Sequence, residues 1–211
     1  MTDIIASGRR VIAIERDGLS ALEQGLGESF VGAVEACAKA KGRVVLAGVG
    51  KSGHVARKIA ATLASTGTPS LYIHPTEASH GDLGMVTKDD VIIALSRSGE
   101  TKELSDLIEY SRRFDIPLIA LTAIAGSALG RAADICLLIP DFKEACGETQ
   151  APTTSTTLSM AMGDALAVAV LEQRGFTGED FKIFHPGGKL GAMLRTVGDT
   201  MSAEVPRVEA G

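Results

Sequence analysis

The hydroxyl-rich segment Ser96-Arg97-Ser98-Gly99-Glu100-Thr101 is the part of this chain best equipped to hold an anion. An apolar, β-branched run at 91–95 precedes it and a helical pattern over 101–114 follows, so a buried strand delivers three hydroxyls to the start of a helix. The first N–H groups of a helix have no partner within the helix and lie at the positive end of its dipole. Hydroxyl donors added there make a cradle for phosphate, and Gly99 lets the backbone approach closely. One hydroxyl is enough for a helix cap. Three at this spacing exceed that need.

Other residues with chemistry to offer gather in loops that leave predicted strands. Gly48-Val49-Gly50-Lys51-Ser52-Gly53 has the glycine spacing of a dinucleotide site, with a strand before it and a helix after it. Two features oppose that reading. Lys51 puts a charged side chain where the backbone should meet a pyrophosphate, and the second strand ends in His74-Pro75 rather than in an acid for the ribose. A P-loop fails as well, because Val45 stands where its leading glycine belongs. A lysine is unfavourable at a helix N-terminus, so Lys51 implies a compensating anion such as a phosphate or an enediolate.

Four acid–base candidates remain, each with a plainer alternative. His80, in His80-Gly81-Asp82, is either a loop cap or a proton carrier. Glu103 lies one turn into the helix after the serine loop, where a carboxylate also complements the dipole. Glu144 follows the last strand in a loop expected to fold over the same sheet edge, ahead of the run Thr153-Thr154-Ser155-Thr156-Thr157. His185, in His185-Pro186-Gly187-Gly188, sits on a tight turn and is suited to proton transfer near neutral pH. His54, His74 and His80 are near one another in sequence but lack zinc-ligand spacing, so no metal is expected.

These loops need a scaffold, and the apolar runs supply one. Runs at 43–48, 70–74, 91–95, 117–122 and 135–140 read as strands buried on both faces, the signature of a parallel sheet. Helical patterns at 53–65, 101–114 and 127–133 alternate with them. The alternation predicts right-handed crossovers and a doubly wound α/β fold of five parallel strands flanked by helices. Two helices at 7–24 and 28–40 are expected ahead of the sheet, and a long one at 155–173 after it. Two short helical pieces are expected within 177–196. In such sheets ligands bind beyond the carboxyl ends of the strands, where the strand order reverses.

Composition narrows the classes. With 211 residues and 45% apolar content the chain buries one sizeable α/β core. A net charge of -5 and no basic block exclude nucleic acid as an expected partner. No apolar run reaches the roughly 18 residues of a membrane span, and Met1-Thr2-Asp3-Ile4-Ile5 lacks the order of a signal peptide. Cys37, Cys136 and Cys146 show no Cys-x-x-Cys spacing. A cytoplasmic protein is expected.

Taken together, the motifs resemble a known family. Ser96-x-Ser98-Gly99-x-Thr101 on a doubly wound sheet resembles the sugar isomerase (SIS) domain, which binds phosphosugars. Gly50-Lys51-Ser52-Gly53-His54, Ser65-Thr66-Gly67-Thr68-Pro69, His80-Gly81-Asp82-Leu83-Gly84-Met85, Ala151-Pro152-Thr153 and His185-Pro186-Gly187-Gly188 are similar to the D-arabinose-5-phosphate isomerases within it. The likeness runs from about residue 11 to residue 201. It implies a SIS domain of flavodoxin-like strand order over 1–197, with 198–211 a tail where a pair of cystathionine-β-synthase-type (CBS) domains would begin after Val197-Gly198-Asp199-Thr200-Met201. It also implies interconversion of D-ribulose 5-phosphate and D-arabinose 5-phosphate, supplying 3-deoxy-D-manno-octulosonate synthesis, in a homotetramer with shared active sites. No cofactor and no metal are implied. Lys51, Glu103, Glu144 and His185 match the family's active-site residues, and His80 is a further candidate. Ser52, Ser96, Ser98 and Thr101 suit the phosphate anchor. Two alternatives stay open: a phosphosugar sensor without turnover, and an isomerase of another phosphosugar.

Overall fold

The apolar runs become five parallel strands in the computed structural model, which describes residues 3–184 and Met201. They are β1 (Val44–Gly48), β2 (Ser70–Ile73), β3 (Val91–Leu95), β4 (Leu118–Thr122) and β5 (Ile135–Leu138). Their order is β2-β1-β3-β4-β5, the flavodoxin-like arrangement expected. The chain steps outward from β1 to β2, then returns to the other side of β1 for β3. The reversal point is therefore the β1/β3 pair, and the register Gly48↔Leu95 ends both strands at one level. That places the 48–53 loop and the 96–101 loop side by side.

Alternate residues on each strand feed two cores. Leu46, Ile93 and Leu121 point to one face, and Val45, Ile92 and Leu118 to the other. On the first face lie α1 (Ile4–Gln24), α2 (Glu28–Lys39), α3 (Gly50–Ser65) and α7 (Thr154–Arg174), anchored by Leu22, Val34, Ile59, Leu63, Leu158 and Leu166. The second face is covered by α4 (Pro75–Ala78), α5 (Ser105–Arg113) and α6 (Ala128–Ala132), through Ala78, Leu107 and Leu129. α7 has 21 residues and is apolar enough by length and composition to cross a bilayer. It packs against α1, α2 and α3, and its Leu158, Met162, Leu166 and Val170 belong to the core, while Met160 and Val168 are exposed.

Element ends differ from the sequence pattern where side chains or tight turns set them. α1 begins at Ile4 rather than residue 7, because the Asp3 carboxylate accepts from the N–H groups of Ile5 and Ala6 at 3.0 and 3.1 Å. α3 begins at Gly50 rather than residue 53, so Lys51 and Ser52 sit in its first turn. β2 stops at Ile73, since His74 caps α4 by accepting from Thr76 N at 3.2 Å through Nδ1. A 3₁₀ turn at Lys102–Leu104 leads into α5 in place of one continuous helix.

The chain divides into two units, Met1–Gly175 and Phe176–Gly211. In the second, α8 (Gly178–Phe184) has a reciprocal cap. Thr177 donates through its N–H and hydroxyl to the Asp180 carboxylate at 2.8 and 2.7 Å, and Asp180 N–H returns 3.3 Å to the Thr177 hydroxyl. The second helical piece expected within 177–196 lies outside the described residues.

Candidate active site

The 48–53 loop is shaped by contact with its own strand. A Cβ on Gly53 would come within 2.6 Å of the Gly48 carbonyl oxygen and 2.9 Å of the Tyr72 hydroxyl. Only glycine lets the helix start this close to β1. The Tyr72 hydroxyl donates to the Gly48 carbonyl at 2.7 Å, and the Arg57 guanidinium stacks over the Tyr72 ring at 3.9 Å. The strand end and the first turn of α3, with Lys51 and Ser52, are thus held together from β2.

The 96–101 loop is braced from within. Ser96 is buried, and its Oγ lies 2.7 Å from Thr101 Oγ1 and accepts from Gly99 N at 3.0 Å. Ser98 Oγ accepts from Glu100 N at 3.2 Å. Gly99 adopts φ 67°, and a Cβ there would collide with the Ser127 hydroxyl. A left-handed turn packed against Ser127 admits only glycine. The hydroxyls expected to anchor phosphate therefore also fix the loop, on the path to the Lys102–Leu104 turn.

A cavity of about 200 Å³ opens between the 48–53 loop and the start of α7. Lys51 and Ser52 line it from α3, Arg97 from the serine loop, and Ser155, Thr156 and Ser159 from α7. Two cations and four hydroxyls face it, with Val49, Val55 and Pro152 completing the wall. A larger groove of about 470 Å³ lies between α2 and α7. Its lining includes Phe30 and Val34 with Glu35 and Glu172 and contains no cation, which does not suit a phosphate.

Glu144 lies behind this cavity with 4% of its surface exposed. Its Oε2 accepts from Thr153 N at 2.7 Å, Thr153 Oγ1 at 3.2 Å and Ser155 N at 3.2 Å, which caps the N-terminus of α7. Its Oε1 is buried without a hydrogen bond and faces Arg97 Nε at 3.6 Å. Burial pushes the carboxyl up, but hydrogen bonds from the Ser155 and Thr153 side chains and backbone outweigh it and hold Glu144 below the usual glutamate range. Arg97 also donates from Nη2 to Asp141 at 3.1 Å.

The expected site residues are therefore brought together only in part. Lys51 and Ser52 share the cavity, while Ser96 and Thr101 brace the neighbouring loop, with Ser98 exposed on it. Glu103 is exposed in the turn after that loop, and His80 is exposed in the segment following α4. α4 packs against the turn that carries Glu103, so these two segments adjoin, but neither residue lines the cavity. His185 lies outside the described residues. Among the described residues, no group of three His, Cys, Asp or Glu side chains is placed to hold a metal ion.

Arg97 and Ser159 were not singled out by their sequence context. Arg97 occupies the variable position of Ser-x-Ser, and its cation beside two serines was the one available signal. Ser159 reaches the cavity one helical turn after Ser155, a spacing that shows only once the start of α7 is known.

Comparison with known proteins shows the family to which this fold belongs. The family model for the SIS domain matches residues 37–169. The arabinose 5-phosphate isomerase KdsD of Escherichia coli K12 is 51% identical over 210 residues, covering 98% of this chain and 64% of that protein. KdsD of Pseudomonas aeruginosa PAO1 is 54% identical over 192 residues, covering 91% of this chain and 59% of the relative. The chain thus spans less than two thirds of the length of these relatives. A solved structure, the c3406 protein of Escherichia coli CFT073 in complex with arabinose 5-phosphate, superposes with a TM-score of 0.84 at 39% identity, covering 88% of this chain and 100% of that one. With a family match that spans all five strands of its sheet and an overlap of 88% of its length with that structure, the chain belongs to the SIS domain family.

Proposed function

We propose that this chain interconverts D-ribulose 5-phosphate and D-arabinose 5-phosphate through an enediol or enediolate. One observation carries the reading. The strand-reversal crevice sets Lys51 and Ser52 beside a serine loop at a helix start, in a chain 51% identical over 98% of its length to an arabinose 5-phosphate isomerase. Aldose–ketose isomerisation needs a phosphate anchor, a base over C1–C2, a proton carrier between O1 and O2, and positive charge for the developing oxyanion. Ser52, Ser96, Ser98 and Thr101 supply the anchor, and Lys51 supplies the charge.

The base is Glu103 in this reading. Glu144 has one oxygen committed to the α7 cap and a lowered proton affinity, which makes it the weaker base. The Glu103 side chain forms no hydrogen bond or ion pair with a described residue. His80 and His185 are the proton carriers available for O1–O2. Residues 1–197 act as the catalytic domain, working in the cytoplasm as a homotetramer with shared sites and feeding 3-deoxy-D-manno-octulosonate synthesis.

The test is incubation with D-ribulose 5-phosphate in deuterium oxide. The expected result is D-arabinose 5-phosphate carrying deuterium at C2, because an enediol exchanges its proton with solvent. Product without deuterium would replace the enediol route by a hydride shift. Binding without turnover would favour a phosphosugar sensor, and turnover of only another phosphosugar would move the substrate.

A further inference from the structure

We infer that Arg97 is a substrate-binding residue that takes the phosphate-bearing end of the ligand, with Glu144 acting through it as a positioning residue. Arg97 lines the cavity together with Lys51, and two of its nitrogens already face carboxylates. Nη2 donates to Asp141 at 3.1 Å and Nε faces Glu144 Oε1 at 3.6 Å. Nη1 donates to no described atom. A guanidinium fixed on one edge presents its remaining donors at little entropic cost, in a planar fork that matches phosphate oxygens.

The buried carboxylate supplies the second, independent observation. The Glu144 side chain is 1% exposed, and its Oε1 has no hydrogen bond although a cation stands within ion-pair distance. A buried acceptor left in this state is costly unless its charge serves a neighbour. Here the neighbour is Arg97, whose side chain remains 43% exposed and lines the cavity. The same carboxylate fixes the start of α7, so one group sets both the arginine and the Ser155–Thr156 wall. A phosphate dianion at the Arg97 end of the cavity meets a guanidinium and hydroxyls and no lining carboxylate, which leaves Lys51 for the developing oxyanion.

The inference rests on the reading that this cavity takes a phosphosugar, and its test separates the two. Inorganic phosphate and D-arabinose 5-phosphate are titrated calorimetrically into the native protein, Arg97→Gln, Arg97→Lys, Glu144→Gln and the Arg97→Gln/Glu144→Gln double variant. Charge-assisted hydrogen bonds of this kind correspond to a loss of about 10- to 100-fold in affinity. Arg97→Gln, which leaves the α7 cap intact, is expected to weaken both ligands by that factor, and Arg97→Lys to recover part of it. If Glu144 acts through Arg97, the double variant binds no more weakly than Arg97→Gln alone. Native affinity in Arg97→Gln overturns the role of Arg97, whatever the enzyme turns over. Additive losses in the double variant overturn the positioning role of Glu144. Arginine-dependent binding without isomerisation leaves this inference standing and removes the proposed reaction.

Discussion

Lys51, Glu103 and Glu144 all carry charge at loops beside the same sheet edge, yet the structure gives them different work. Lys51 faces a cavity, Glu103 is exposed and unpaired among the described residues, and Glu144 is enclosed by the α7 cap. Exchange of each glutamate for glutamine removes basicity while keeping size. Glu103→Gln is expected to lower kcat by about 10²–10⁴-fold with KM little changed, as removal of a general base does. Glu144→Gln is expected to raise KM more than it lowers kcat. Steady-state kinetics on both variants checks the division, and the opposite pattern would make Glu144 the base.

The Glu144 carboxyl also has a consequence for stability. Its proton affinity is lower folded than unfolded, so its contribution is fully present above the unfolded value and fades as pH falls through the folded one. Native protein should therefore lose stability on acidification below about pH 4.3, the ordinary glutamate value, more steeply than Glu144→Gln. Urea unfolding across that range measures it, and parallel curves for the two proteins would contradict the assignment. This role was not legible in the sequence. The cap joins residues 9 and 11 positions apart across a loop, whereas helix-cap patterns in sequence look within a single turn.

At the scale of elements, the sheet was legible because its strands are buried on both faces and read as unbroken apolar runs. The parallel, right-handed crossovers followed from the alternation of strand and helix, the order β2-β1-β3-β4-β5 from the family resemblance, and the glycine-rich turn after β1 from its spacing. Less visible was what the glycines are for. Gly48-x-Gly50-x-x-Gly53 serves the close approach of α3 to β1, with the Tyr72 hydroxyl closing the contact from the next strand. A methyl on Gly53 must displace backbone, so Gly53→Ala should destabilise by about 1–3 kcal/mol. In a chain of this size the melting temperature falls by about 2–4 °C per kcal/mol. Tyr72→Phe loses one hydrogen bond, about 0.5–1.5 kcal/mol, and should disturb ligand affinity through the 48–53 loop. Thermal unfolding with and without D-arabinose 5-phosphate separates the two effects. A Gly53→Ala protein with unchanged melting temperature would show that the turn has slack.

At the scale of the whole molecule, the outer surface of α1 bears on assembly. Ile4, Ile5 and Ile12 are 84%, 67% and 68% exposed. Ile5, Ile12 and Leu19 recur at seven-residue spacing, which keeps them on one side of the helix. Such a stripe is the kind of surface that oligomers cover, and it supports the proposed homotetramer. Light scattering at micromolar concentration should therefore report an assembly, and a monomer there would remove it. The further proposal is that His185 reaches a neighbour's site. His185→Ala and Lys51→Ala subunits, each inactive alone, would then regain activity when mixed, because a heterologous pair holds one intact site. Random mixing limits the recovery to a fraction of native turnover, so mixed oligomers must be isolated with distinguishable tags before assay. Verified mixed oligomers without activity would place Lys51 and His185 in the same subunit's site, and each chain would then carry a complete catalytic set of its own.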